Sequence, residues 1–194
     1  MKITYYGHSC FTVSSSGYTL ALDPYNDMVQ GYPPLALEAN KVYCSHGHMD
    51  HAFVDAVTIN DAGAADPFEV KSFEIPHDDA GGSKRGMNQI RIFYAEGKKV
   101  IHFGDTGCIP DAAILEELKG ADIAMIPVGG VFTVDPAQAK QIADAIAPRI
   151  LIPMHYKKGS RGLQIIADLD AFLDLCKDVP YEVRPLEYKE SIEI

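Results

Sequence analysis

The chain has 194 residues and a mass of 21.2 kDa, enough for one well-packed domain over 1–194 and too few for two of ordinary size. Hydrophobic residues at 47% and charged residues at 23% exclude a disordered chain, and a net charge of −10 makes nucleic acid a poor partner. No stretch approaches the roughly 18 consecutive apolar residues of a membrane span, and the first residues lack an apolar core with a cleavage site, so a cytoplasmic location is expected. In chain order, Lys2–Tyr6, Cys10–Ser14 and Tyr18–Asp23 read as strands, with Ser14-Ser15-Ser16-Gly17 as a hairpin-type turn. Asp23-Pro24 breaks the pattern, and Asn26–Asn40 reads as an irregular loop. Lys41–Ser45, Phe68–Ile75, Gln89–Ala95 and Lys98–Phe103 continue as strands, the last two joined by a tight turn at Glu96-Gly97.

Beyond Gly104 helices alternate with strands. Pro110 suits a first helical position before Asp111–Lys119, and Gly120 stops that helix. Asp122–Pro127 reads as a buried strand. Asp135 is an N-cap followed by Pro136, and Ala139, Ile142, Ala143, Ile146 and Ala147 form one helical stripe. Arg149–Pro153 is the next strand. Ile165, Leu169, Phe172, Leu173 and Cys176 mark a last amphipathic helix, and Tyr181–Arg184 a closing strand. Cys10, Cys44, Cys108 and Cys176 form no C-x-x-C pair and read as small buried hydrophobes. The class is α/β.

His46-Gly47-His48-Met49-Asp50-His51 carries the chemistry, with three histidines and an aspartate in six residues. On a helix, His46 and His48 would point about 200° apart and could not share an ion. On a strand end or extended loop, residues two apart face the same way, so both can reach one metal, while Asp50 and His51 address a second. The other reading is a histidine-rich surface loop. Asp105, His77 and His155 each stand where an apolar strand gives way to a loop, as do most α/β sites. A carboxylate such as Asp105 can span two ions about 3.5–4 Å apart. Strand alternation turns His102 away from Asp105, so His102 reads as structural. His8 ends the first strand, either as a catalytic residue touching substrate at the site rim or as packing.

In order along the chain, His-x-His-x-Asp-His, a lone His, Gly-Asp-Thr-Gly and Pro-Met-His-Tyr resemble the metallo-β-lactamase-fold superfamily. Gly7-His8-Ser9-Cys10-Phe11 and Asp23-Pro24 resemble its branch of small zinc-dependent hydrolases related to ascorbate-phosphate lactonase. The resemblance implies a four-layer αβ/βα sandwich of mixed sheets with helices on the outer faces and the site at one edge. It implies one ion on His46, His48 and His77, another on Asp50, His51 and His155, and Asp105 between them. Only 25 residues separate His51 from His77, so Asp55–Asp66 is expected to be a trimmed or missing helix.

Two such ions bring the pKa of a shared water towards about 7, and the hydroxide attacks a carbonyl or phosphoryl centre while Asp50 orients it and Asp50 and Asp105 hold the ions. The expected activity is hydrolysis of a small ester, lactone or phosphodiester. The donor set suits two Zn2+, with Mn2+ or Fe as alternatives. Lys84, Arg85, Lys157 and Arg161 follow ligands closely and are candidate contacts for an anionic small-molecule substrate, or else ordinary solvated cations. Neither a nucleic acid nor a membrane partner is expected, and a homo-oligomer is left open. The other functions weighed are a di-iron redox protein on the same fold and a non-enzymatic metal-bearing module.

Overall fold

The computed structural model describes residues 1–60 and 63–194. Its strands are β1 (Lys2–Gly7), β2 (Cys10–Ser15), β3 (Tyr18–Leu22), β4 (Leu37–Ala39), β5 (Lys41–Tyr43), β6 (Val57–Ile59), β7 (Glu69–Pro76), β8 (Met87–Ala95) and β9 (Lys98–His102). Then follow α1 (Ala112–Leu118), β10 (Ile123–Pro127), α2 (Pro136–Ile146), β11 (Ile150–Met154), α3 (Leu169–Leu173), β12 (Glu182–Val183) and β13 (Ser191–Glu193). One sheet has the order β13-β1-β2-β3-β5, another β12-β11-β10-β9-β8-β7, and β4 pairs with β6 in a separate ribbon.

The hairpins follow from local chemistry. Ser16 and Gly17 have φ of 49° and 80°, and Glu96 and Gly97 have 52° and 68°, the paired positive values that match the right-handed twist of flanking strands. β1 and β3 both run antiparallel to β2, and β3 runs parallel to β5, so β1, β3 and β5 share one direction. In the other sheet β7 and β9 both run antiparallel to β8, while β9, β10 and β11 are parallel, so these also share a direction. β1, β3 and β5 therefore deliver their C-terminal ends to one edge of the first sheet, and β7, β9, β10 and β11 to one edge of the second.

Alternation along the first sheet turns Ile3, Tyr5, Phe11, Val13, Leu20 and Leu22 towards the second, into a core continuous with Ile90, Ile92, Ile101 and Phe103. β10 and β11 are buried along their whole length, as a parallel strand covered on both faces must be. Helix α2 buries Ala139, Ile142, Ala143 and Ile146, and Asp135 starts it with a reciprocal capping box to Gln138. Asp111, expected inside α1, is instead its N-cap, accepting from the Ile114 amide, and Pro110 lies outside the helix.

The mixed-sheet α/β architecture is as the sequence implied, with one outer layer thin. The outward residues Cys10 and Ala21 of the first sheet are covered by Tyr25, Val29, Leu37, Ala39 and Val57, from the 24–36 loop and the β4–β6 ribbon. The 55–66 stretch contains a 3-10 turn at Val54–Ala56 and β6, and its Asp61 and Ala62 lie outside the described residues. Two further expectations are corrected. Asn26–Asn40 contains β4, because Leu37 and Ala39 alternate into the outer cluster. The last helix begins at Leu169 rather than near Ile165, which is 67% exposed, because Lys157 and Gly129 tie the backbone of Ala167 in extended form. β13, unread in the sequence, pairs with β1. Among the described residues no helix is long and apolar enough to cross a membrane.

Candidate metal centre

Six strands end at one place. His8 follows β1, Asp23 follows β3, His46–His51 follow β5, His77 follows β7, Asp105 follows β9 and His155 follows β11. Convergence of both sheets' C-terminal ends thus gathers side chains that lie up to 147 positions apart in sequence. Three groups have donor atoms within 4.8 Å of one another: His46, His48 and His77; His8, Asp50, His51 and His155; and His46, His51 and Asp105. Asp105 lies between the first two. Its Oδ1 is 3.1 Å from His51 Nε2, and its Oδ2 is 3.1 Å from His155 Nε2 and 3.6 Å from His77 Nε2.

All seven residues expected as metal ligands are therefore brought together. His8 is not at the rim, as a substrate contact would be. It is fully buried, with Nε2 3.4 Å from Asp50 Oδ2 and its ring centroid 4.2 Å from that of His155. His102 stands outside all three groups, with Nε2 bonded to the Ser9 carbonyl and Nδ1 accepting from the Gly104 amide.

The supporting residues are less evident in the sequence. Asp23 is buried and accepts from the Ser45 amide and from His51 Nδ1 at 2.7 Å, which leaves His51 Nε2 facing the cluster. Ser45 Oγ donates to Asp23 Oδ2 and lies 3.0 Å from His46 Nδ1, orienting His46 in the same sense. The Asn88 side chain accepts from the Asp105 amide and donates to the Phe103 carbonyl, fixing the turn that carries Asp105. The one sequence sign of Asp23 is its place before Pro24 at a strand end.

Burial, with His155 next to it, pushes the His8 imidazole down to about 4 against the opposing pull of Asp50. Burial and then His51 take His46 down to about 3. Both rings are neutral at pH 7, with lone pairs available to a cation. Burial would raise Asp50 and Asp105, yet the His8 ring 3.4 Å away holds Asp50 below the carboxylate range, and His155 and His51 hold Asp105 well below it. His51 is opposite: burial lowers it, but Asp105 and Asp23 outweigh burial and raise it.

A cavity of about 660 Å³ opens over the cluster, reaching His48, Asp50, His77 and Asp105. Its upper wall is apolar, with Met28, Met49, Phe132, Leu163 and Ile165, and Arg85 is its cation. The other basic candidates are directed elsewhere. Lys84 pairs with Asp79 at 2.6 Å, Lys157 lies 3.9 Å from Asp168, and Arg161 reaches Glu187 at 3.3 Å while lying over the Tyr32 ring.

Residues 2–155 match the family described as the beta-lactamase superfamily domain. The chain belongs to that superfamily. Among superfamily relatives, a UPF0173 metal-dependent hydrolase of Anoxybacillus flavithermus is 29% identical, with both chains covered in full. A UPF0173 protein of Pyrococcus abyssi is 31% identical, over 80% of this chain and 83% of its own. Among solved structures, a Thermotoga maritima protein assigned as a Zn-dependent hydrolase of the metallo-β-lactamase superfamily is 30% identical, with a TM-score of 0.73 over 95% of this chain and 97% of its own.

Proposed function

We propose that the cluster holds two divalent ions and that a small ester, lactone or phosphodiester is hydrolysed in the cavity above them. The chain is a metal-dependent hydrolase of the metallo-β-lactamase fold, in keeping with the names its relatives carry. The observation that carries the two-ion reading is a set of orphaned atoms. Among the described residues, the buried side-chain nitrogens and oxygens without a hydrogen-bond partner are Ser9 Oγ and atoms of His8, His46, His51, His77, Asp105 and His155. An unpartnered buried polar atom costs about 1–3 kcal/mol, so such a concentration fits a group that the donors jointly bind.

His46, His48 and His77 would hold one ion, Asp50, His51 and His155 the other, and Asp105 would bridge them. A nitrogen-rich set with two carboxylates suits zinc best, ahead of manganese or iron. Ions there supply Lewis acidity, polarising the bond under attack and bringing water within reach of ionisation near neutral pH. Asp50, at the cavity floor, accepts a hydrogen bond from the attacking water and sets its direction. Met28, Met49, Phe132, Leu163 and Ile165 receive an apolar substrate body and thin the water around the reacting bond. Arg85, whose guanidinium lies 5.3 Å from the Phe132 ring centroid, meets one anionic group of the substrate.

Residues 1–194 act as one domain, a reading supported by one main core cluster whose members range from Met1 to Ile192. A cytoplasmic site of action belongs to the same proposal, supported by four free cysteines. The test is a screen of chromogenic lactones, thioesters and phosphodiesters with added zinc or manganese. Hydrolysis should appear in the wild type and vanish in Asp105→Ala while the circular dichroism spectrum stays unchanged. Undiminished turnover in that folded variant would place the chemistry elsewhere.

A further inference from the structure

We infer that His8 is a protein donor to the second cation, so that this ion has four side-chain donors of its own where the first has three, with Asp105 common to both. The inference rests on the two-ion reading above and adds to it a residue that lies outside the His-x-His-x-Asp-His pattern. His8 is fully buried, and neither of its ring nitrogens has a hydrogen-bond partner. Simple packing does not account for that, because an apolar side chain would fill the space without stranding two polar atoms.

The donor atoms of His8, Asp50, His51 and His155 lie within 4.8 Å of one another. The 3.4 Å between His8 Nε2 and Asp50 Oδ2 is a separation that two donors to one zinc would have, since bonds of about 2.0–2.1 Å put neighbouring donors roughly 3–3.4 Å apart. The backbone is bent to achieve this. His8 has φ of 54° and His155 has 52°, left-handed values that a side-chain-bearing residue rarely adopts, and the His155 amide donates to the His8 carbonyl at 3.0 Å. Two such histidines, locked to each other through the backbone, bring their rings to the same spot from opposite sheets.

The consequence is an asymmetric pair. With Asp105 common to both, the second ion would have four donors of its own and the first only His46, His48 and His77, so the first has one more position for substrate or water. The second ion should therefore be the retained one and the first the exchangeable one.

The protein stripped of metal is titrated with Zn2+ against a chromogenic chelator, as wild type, His8→Ala and His8→Gln. Wild type should bind in two steps, and both variants should lose about 100-fold or more in the tighter step and little in the weaker, a loss beyond that of a merely orienting partner. Glutamine keeps a hydrogen-bond donor near the Nε2 position but offers no imidazole lone pair. Recovery of affinity in His8→Gln, or full affinity in both variants, would overturn the inference. The folded wild type gives an independent reading. Loaded with 113Cd and labelled with 15N-histidine, six of the seven histidines should show metal coupling, with His102 the exception. Five coupled histidines, with His8 uncoupled, would sink the inference but leave the two-ion reading intact; a wild type that binds no ion would remove both.

Discussion

Asp23 is buried behind the cluster, and His51 depends on it. Its carboxylate fixes the His51 ring through Nδ1 and is itself held by Ser45. Asp23→Asn keeps the volume but weakens that hold, and zinc affinity should fall about 10–100-fold in a chelator competition; an unchanged affinity would deny Asp23 this role. Arg85→Ala should raise KM for an anionic ester several-fold and leave a neutral ester of the same size unaffected, whereas equal effects on both would mean general damage. The ligand residues were legible because each stands in a local context that sequence displays: an apolar strand giving way to glycine, proline or a polar loop. Asp23, Ser45 and Asn88 were not, because their roles depend on partners from 15 to 28 residues away. His8 stood out as a candidate at a strand end, but its buried place did not, because its ring meets His155 from the other end of the chain.

Loops between the strands hold the ligands in register, and two of them make sharp predictions. Gly107 donates to the Pro76 carbonyl, and a Cβ there would come within 2.2 Å of the Asp78 amide nitrogen and the His77 carbonyl carbon. Gly107→Ala should therefore push the Asp105 loop from the His77 loop and cut zinc affinity and turnover together, with little loss of secondary structure; a fully active variant would show that these loops need not touch. The loop after β7 closes on Asp78, which accepts from the amides of Ala80, Gly82, Lys84 and Arg85. Burial raises the Asp78 carboxyl, but those amides outweigh it and hold it at about 2. A depressed carboxylate contributes stability above its unfolded value near about 4 and loses it as pH falls towards 2. Amide protection at these four positions should decline between pH 4 and pH 2; constant protection would mean that the loop is held otherwise. Elements of clear period, such as α2 and β10, were readable in sequence. β4, β6 and β13 were not, because three-residue strands are defined by their partners rather than by a pattern.

Across the whole molecule, function follows from strand direction. Two sheets, one of β1, β2, β3, β5 and β13 and one of β7 to β12, pack face to face, with the ligand-bearing strand ends at a common edge. The sequence displayed that each candidate ended a strand. It did not display that one outer layer would be a ribbon and loop in place of helices, since that depends on what Cys10 and Ala21 happen to meet. The central claim concerns the pair of ions, and anomalous diffraction at the zinc edge from crystals grown with zinc tests it most directly. Two peaks about 3.5–4 Å apart on either side of Asp105 are predicted. A single peak, or peaks only at surface carboxylates, would contradict the account.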